Sequence, residues 1–126
     1  MKALLDTHAF LWYLLGDSNL SSKAKEVIDT KTGLYFSIAS IWEISIKINI
    51  GKLKLNRPFQ DIPKELQYIN AQVLPITFED TESYLSLPLN HRDPFDRILV
   101  AQAMNHSLVL ISRDSAFDAY SIGRVW

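Results

Sequence analysis

The sequence predicts an α/β/α sandwich, a mostly parallel central sheet flanked by helices, built as one domain over residues 1–126. Three observations predict it. Short apolar runs alternate with helical patterns along the whole chain, and that βα order favours parallel strands with helices on both faces. No internal repeat, low-complexity tract or linker divides the chain. Composition agrees: 126 residues at 48% apolar, 21% charged and 11% aromatic suffice for a core, and a domain of this size buries roughly two-thirds of the surface its unfolded chain exposes.

The elements follow in order. Lys2–Leu5 reads as a buried strand, and Thr7–Leu15 as a helix stopped by Gly16. Ser21 or Ser22 caps a second helix that runs to about Thr30, since a serine hydroxyl satisfies an orphan amide of the first turn. Leu34–Ser37, after Gly33, is a strand. Ala39–Ile50 reads as a helix, because Ile41, Ile44 and Ile48 fall on one face and Gly51 ends it. Ile44, Ile46, Ile48 and Ile50 also alternate as a strand would. Pro63–Ile69 is a helix, Gln72–Leu74 a strand, and Phe78–Leu85 a helix closed by Pro88. Pro94–Asn105 is a helix, Leu108–Ile111 a strand, Ser115–Tyr120 a short helical piece, and Arg124–Trp126 a last strand.

Composition also excludes functions. There is no cysteine, which removes disulfide frameworks, thiolate zinc sites and cysteine nucleophiles, and suits a reducing cytoplasm. The formal charge is −1, from 13 basic and 14 acidic residues, so the chain is neither a polybasic nucleic-acid arm nor an acidic tail. No apolar run approaches the ~20 residues of a membrane-spanning helix. The run Ala9–Leu15 is short, follows Asp6 and His8, and precedes no small-x-small cleavage pattern, so a secretory signal is not expected.

In open parallel sheets the working site lies beyond the carboxyl ends of the strands. Asp6 directly follows the first strand, and Asp114 follows Leu108–Ile111 after Ser112 and Arg113. Asp93 and Asp96 bracket a helix start in Asp93-Pro94-Phe95-Asp96, and Glu43 lies in the helix after Leu34–Ser37. Five acids from four segments thus have a route to one rim. Crowded carboxylates raise one another's pKa, and a hard divalent cation such as Mg²⁺ or Mn²⁺ relieves that conflict with oxygen ligands. Each acid also has an ordinary reading. Asp6 and Asp93 are candidate helix caps, Pro94 sits at the first helical position, and Asp96 favours the helix dipole. Glu43 has Lys47 four residues on, a common surface pair. Asp114 starts a turn, and Asp118 is a solvated helix residue.

The pattern resembles the PIN-domain nucleases, and within them the VapC-like toxins of bacterial and archaeal toxin–antitoxin pairs. Four segments carry the resemblance in family order: Leu4-Leu5-Asp6-Thr7-His8, Ser40-Ile41-Trp42-Glu43-Ile44, His91 through Ala103, and Leu110-Ile111-Ser112-Arg113-Asp114. The third, His91-Arg92-Asp93-Pro94-Phe95-Asp96-Arg97-Ile98-Leu99-Val100-Ala101-Gln102-Ala103, is the most specific. The resemblance implies a PIN-like sandwich and metal-dependent hydrolysis of RNA phosphodiester bonds. It implies that Asp6, Glu43, Asp96 and Asp114 are the catalytic, metal-binding acids, with Asp93 a feature of a subgroup. Asp6, Asp96 and Asp114 would hold the principal Mg²⁺, with Mn²⁺ a substitute. Glu43 would complete a second site, reach a metal through water, or orient the nucleophile.

Thr7 and Ser112 are small hydroxyls beside these acids. His8 departs from the small hydroxyl that many relatives carry there, while His91 and His106 read as structural. Setting the four acids aside leaves ten acidic residues against 13 basic ones. Lys47, Lys52, Lys54 and Arg57 form a basic stretch, and Arg92, Arg97 and Arg113 flank the acids; such groups hold phosphates without choosing sequence. Trp12, Tyr13, Trp42 and Phe95 are able to stack on unpaired bases, though core or interface roles suit most aromatics here. The resemblance also implies a homodimer and a small antitoxin on an apolar groove. Trp12, Tyr13, Leu14 and Leu15, with Ile46 and Ile50, would offer such a surface unless they are core.

Two rival functions stay in view. A phosphoacceptor signalling domain has this length and βα order, yet it needs an acidic pair after the first strand and a lysine after the last. Asp6 stands alone, and Gln72-Val73-Leu74-Pro75-Ile76-Thr77 ends without an acid. The other rival is a catalytically silent PIN-fold module that binds RNA or a partner without cutting. The presence of all four acids argues against it.

Overall fold

The computed structural model describes all 126 residues, Met1–Trp126. Its order is β1 (Ala3–Leu5), α1 (Thr7–Leu15), α2 (Ser22–Asp29), β2 (Leu34–Ser37), α3 (Ile38–Asn49), α4 (Ile62–Tyr68), β3 (Ala71–Leu74), α5 (Phe78–Leu85), α6 (Pro94–His106), β4 (Val109–Ile111) and β5 (Arg124–Val125). The five strands form one sheet in the order β3-β2-β1-β4-β5, and every pairing is parallel.

Side-chain alternation assigns the two faces of this sheet. Ala3 and Leu5 of β1, with Leu34, Phe36 and Ile111, enter one apolar cluster. Leu4 and Leu110, with Tyr35 against them, enter the other. Successive strand residues point to opposite faces, so a three-residue β1 serves both cores. The first cluster is closed by Phe10, Ala24, Ile28, Ile44, Ile62 and Leu66. The second is closed by Leu99, Val100, Ala103 and Phe117. Both faces of the sheet are therefore covered, which is why its strands carry so little polar alternation.

The helices begin and end where side chains satisfy the backbone. Gly16 takes a left-handed conformation (φ 64°) and returns its N–H to the end of α1, a geometry that suits a residue without Cβ. Gly33 (φ 66°) meets the Met1 carbonyl so closely that an added Cβ would lie 2.5 Å from it. Ser37 Oγ accepts the Ala39 N–H at 3.0 Å and starts α3. That cap decides between helix and strand for the isoleucine run. Ile44 is fully buried, and Ile41 and Ile48 pack beside it.

Residues Phe59–Asp61, to which the sequence assigns no element, form a 3₁₀ turn ahead of α4, and the expected short helical piece is a 3₁₀ turn over Ser115–Ala119. The last strand is only Arg124–Val125. No helix is long and apolar enough to cross a membrane.

Candidate active site

β1 and β4 pair in register from Ala3 opposite Val109 to Leu5 opposite Ile111. Their carboxyl ends therefore lie side by side. The Asp6 N–H donates to the Ile111 carbonyl at 3.0 Å, which extends the ladder one residue into the site. Asp6 is buried and caps α1, its Oδ1 accepting the Ala9 N–H at 2.7 Å. Burial pushes its carboxyl above the ordinary aspartate range. The Ser112 hydroxyl, the Ala9 amide and His8 pull against that rise, and Glu43 adds to it.

Glu43 reaches the same place from α3. Thr7 Oγ1 donates to Glu43 Oε1 at 2.7 Å, a bond that crosses from α1 to α3. Lys47 Nζ lies 3.0 Å from Glu43 Oε2, so the expected i, i+4 pair forms, but on a buried glutamate rather than on an open surface. Asp93 caps α6 through the Phe95 N–H at 2.8 Å. Asp96 occupies the first turn of that helix and is half-buried. Its carboxyl is pushed up to about 7, first by burial and then by Asp93, Glu43, Asp6 and Asp114 in that order. Asp114 caps the 3₁₀ turn, its Oδ1 accepting the Ala116 N–H at 3.0 Å.

Asp6, Glu43, Asp96 and Asp114 line one recess of about 110 Å³, together with Asp93. Thr7, His8, Lys47 and Phe117 complete its wall. A wider cleft of about 440 Å³ adjoins it and shares Asp6, His8 and Asp114, while Trp12, Arg113 and Ser115 form its outer side. Arg113 lies over the Trp12 ring at 4.9 Å and donates to Asn19 at 3.1 Å. Arg92 is exposed, one residue ahead of Asp93. Ser112 is fully buried and spends its Oγ on the Asp114 N–H as well as on Asp6.

Arg97 corrects the sequence reading. Arg97 does not flank the acids to hold phosphate, because its side chain is buried and points away from solvent. Its guanidinium donates to the carbonyls of Pro88, His91, Tyr84 and Leu87 and stacks over Tyr84. A planar fork with five donors suits four converging carbonyls. Arg97 thus ties the α5–α6 connection to α6.

His91 is what sequence reasoning missed. Its Nε2 lies 3.4 Å from Asp114 Oδ2, and the ligating atoms of His91, Asp96 and Asp114 fall within 4.8 Å of one another. No spacing rule marks it, since its only signal is its place just ahead of the Asp93 cap. Of the other named groups, Asp118 pairs with Arg124 at 2.9 Å outside the site, and His106 lies 3.9 Å from Asp80.

Chemically, the recess concentrates carboxylate oxygens at a point where one of them already resists ionisation. An oxygen-rich set of this kind fits a hard divalent cation. The Asp96 carboxyl is raised first by burial and then by the like charges around it, and those charges are what such an ion would neutralise.

The PIN domain family matches residues 3–123, and the chain belongs to that family. Solved structures share the fold over nearly the whole chain. A toxin–antitoxin complex from Klebsiella pneumoniae is 20% identical with a TM-score of 0.70, over 99% of this chain and 97% of that one. VapBC2 from Rickettsia felis, bound to a DNA fragment from its promoter, is 11% identical with a TM-score of 0.71, over 99% and 98%. FitAcB from Neisseria gonorrhoeae is 17% identical with a TM-score of 0.69, over 98% and 96%. No curated protein matches the sequence.

Proposed function

We propose that this chain is a metal-dependent endoribonuclease that hydrolyses RNA phosphodiester bonds, acting in the cytoplasm as the toxin of a type II toxin–antitoxin pair. The observation that carries the reading is the meeting of Asp6, Glu43, Asp96 and Asp114 in one recess of about 110 Å³. Asp6, Asp96 and Asp114 would hold the principal Mg²⁺ or Mn²⁺. When bound, such an ion lowers the pKa of its water toward neutrality and neutralises charge on the phosphoryl oxygens. The chain does the rest by positioning. Thr7 and Lys47 hold both oxygens of Glu43, so its carboxylate is aimed for a second ion, a bridging water or the nucleophile. Ser112 and the Ala9 amide hold Asp6. Arg113, Arg92 and Lys47 supply cations that let a polyanion approach an acidic recess.

The toxin role is supported by the likeness in fold to the toxin–antitoxin complex from Klebsiella pneumoniae. A homodimer and a cognate antitoxin would use exposed apolar side chains. Trp42 is 60% exposed and meets Phe95 edge-on at 5.4 Å; Leu15 and Ile50 are exposed, whereas Trp12, Tyr13 and Leu14 are half-buried.

The test is cleavage of a labelled single-stranded RNA with Mg²⁺ or Mn²⁺. Cleavage is expected to stop with EDTA and with Asp6→Asn or Asp96→Asn. Cleavage that survives any of these defeats the metal mechanism. RNA binding without cleavage under all metals would favour the silent-module reading.

A further inference from the structure

We infer that His91 is a positioning residue for Asp114: its Nε2–H donates to Asp114 Oδ2 and fixes that carboxylate for the cation, without ligating the cation itself. The inference rests on the metal-site reading above and adds a residue to it. His91 is held on every side. Its backbone N–H donates to the Tyr120 hydroxyl at 2.8 Å, and its carbonyl accepts from Arg97 at 3.3 Å. Its ring stacks on Phe117 with centroids 4.6 Å apart and planes 21° apart, and Tyr120 closes another side at 5.6 Å. The side chain is 8% exposed. A ring so fixed has one polar outlet, Nε2, which faces Asp114 Oδ2 at 3.4 Å. The second oxygen of Asp114 already accepts the Ala116 N–H. Together these two donors set the rotation of the carboxylate.

The other ring nitrogen decides the role. Nδ1 is buried with no hydrogen-bond partner. Ligation through Nε2 would place the ring proton on Nδ1, where a buried N–H would have no acceptor. Metal-ligating histidines almost always donate that second N–H to a carboxylate, carbonyl or water. The Nε2–H tautomer leaves only a lone pair unpaired, which is the milder loss.

The experiment compares His91→Gln with His91→Met in the full chain. The two side chains match in length, but only glutamine keeps a donor near the Nε2 position. Mn²⁺ affinity, read as free Mn²⁺ by electron paramagnetic resonance, should fall about tenfold or more in His91→Met. It should recover to within about threefold of wild type in His91→Gln. Equal losses in both variants, or no loss in either, would overturn the role. A wild-type chain that binds no Mn²⁺ would instead overturn the metal-site reading with it. Wild-type protein supplies a readout that needs no variant: long-range ¹H–¹⁵N correlations should show the His91 Nε2–H tautomer with and without Mg²⁺. An Nδ1–H tautomer in the Mg²⁺-loaded protein would make His91 a ligand and overturn the proposal.

Discussion

Thr7 Oγ1 donates to Glu43 Oε1 at 2.7 Å across the gap between α1 and α3, and both residues are buried. The hydroxyl sits one residue after the Asp6 cap, so the start of α1 orients two acids of the recess at once. A hydrogen bond to a charged group contributes about 1.5–3 kcal/mol. Thr7→Val, which keeps the shape, is expected to lower kcat for RNA cleavage by about tenfold and to leave the oligomeric state unchanged. Unchanged kcat would show that Glu43 needs no fixing.

The raised carboxyl of Asp96 makes a prediction about the metal-free protein. Its pKa stands near 7 in the fold against 3.8 unfolded, so the folded state binds its proton more tightly. Its contribution to stability is full below pH 3.8 and is lost as pH rises through about 7. Asp96→Asn removes a charge that burial and four neighbouring acids disfavour. The loss it relieves is on the order of 1–2 kcal/mol once solvent screening of a half-buried group is allowed for. Thermal unfolding in EDTA at pH 8 should therefore rise by about 3–8 °C in Asp96→Asn, with little difference at pH 4. A fall at pH 8 would contradict the assignment.

The same proton must leave when a cation binds, because a ligating carboxylate is deprotonated. Mg²⁺ affinity should weaken as pH falls below about 7, and titration near pH 6 should release close to one proton per chain. Calorimetry in two buffers of different ionisation enthalpy measures this. Binding with no proton release at pH 6 would place the ion away from Asp96.

Arg97 is expected to act on stability. Arg97→Met leaves the buried carbonyls of Leu87 and His91 without the guanidinium donor, while those of Tyr84 and Pro88 keep the Leu87 N–H and the Tyr120 hydroxyl, and each unsatisfied buried group costs about 1–3 kcal/mol. Urea unfolding should show a loss on the order of 3 kcal/mol or more. A stable variant with weakened RNA affinity would restore the phosphate-holding role.

Why some of this was legible in sequence and some was not follows from the range of the interactions. Asp6 and Asp114 could be placed because each follows a strand by one or three residues, and parallel strands put their carboxyl ends together. Asp93 and Asp96 were marked by Pro94, a local helix-start signal. The helix read over Ala39–Ile50 holds as Ile38–Asn49 despite the strand-like alternation of Ile44–Ile50, because the Ser37 cap and the core face of Ile44 favour it. The inward turn of Arg97 and the approach of His91 to Asp114 escaped the sequence for one reason. Both act through contacts with residues of other elements (Tyr84 and Pro88 for one, Asp114, Phe117 and Tyr120 for the other), and no local periodicity encodes those. An arginine beside an aspartate looks like a phosphate ligand until its side chain is seen to turn inward.

Crystals soaked in Mn²⁺ and measured at its absorption edge test the central claim most directly. An anomalous peak within about 2.2 Å of carboxylate oxygens from Asp6, Asp96 and Asp114, with Glu43 at the same recess, is the predicted result. A peak elsewhere, or none at millimolar Mn²⁺ above pH 7, would contradict it.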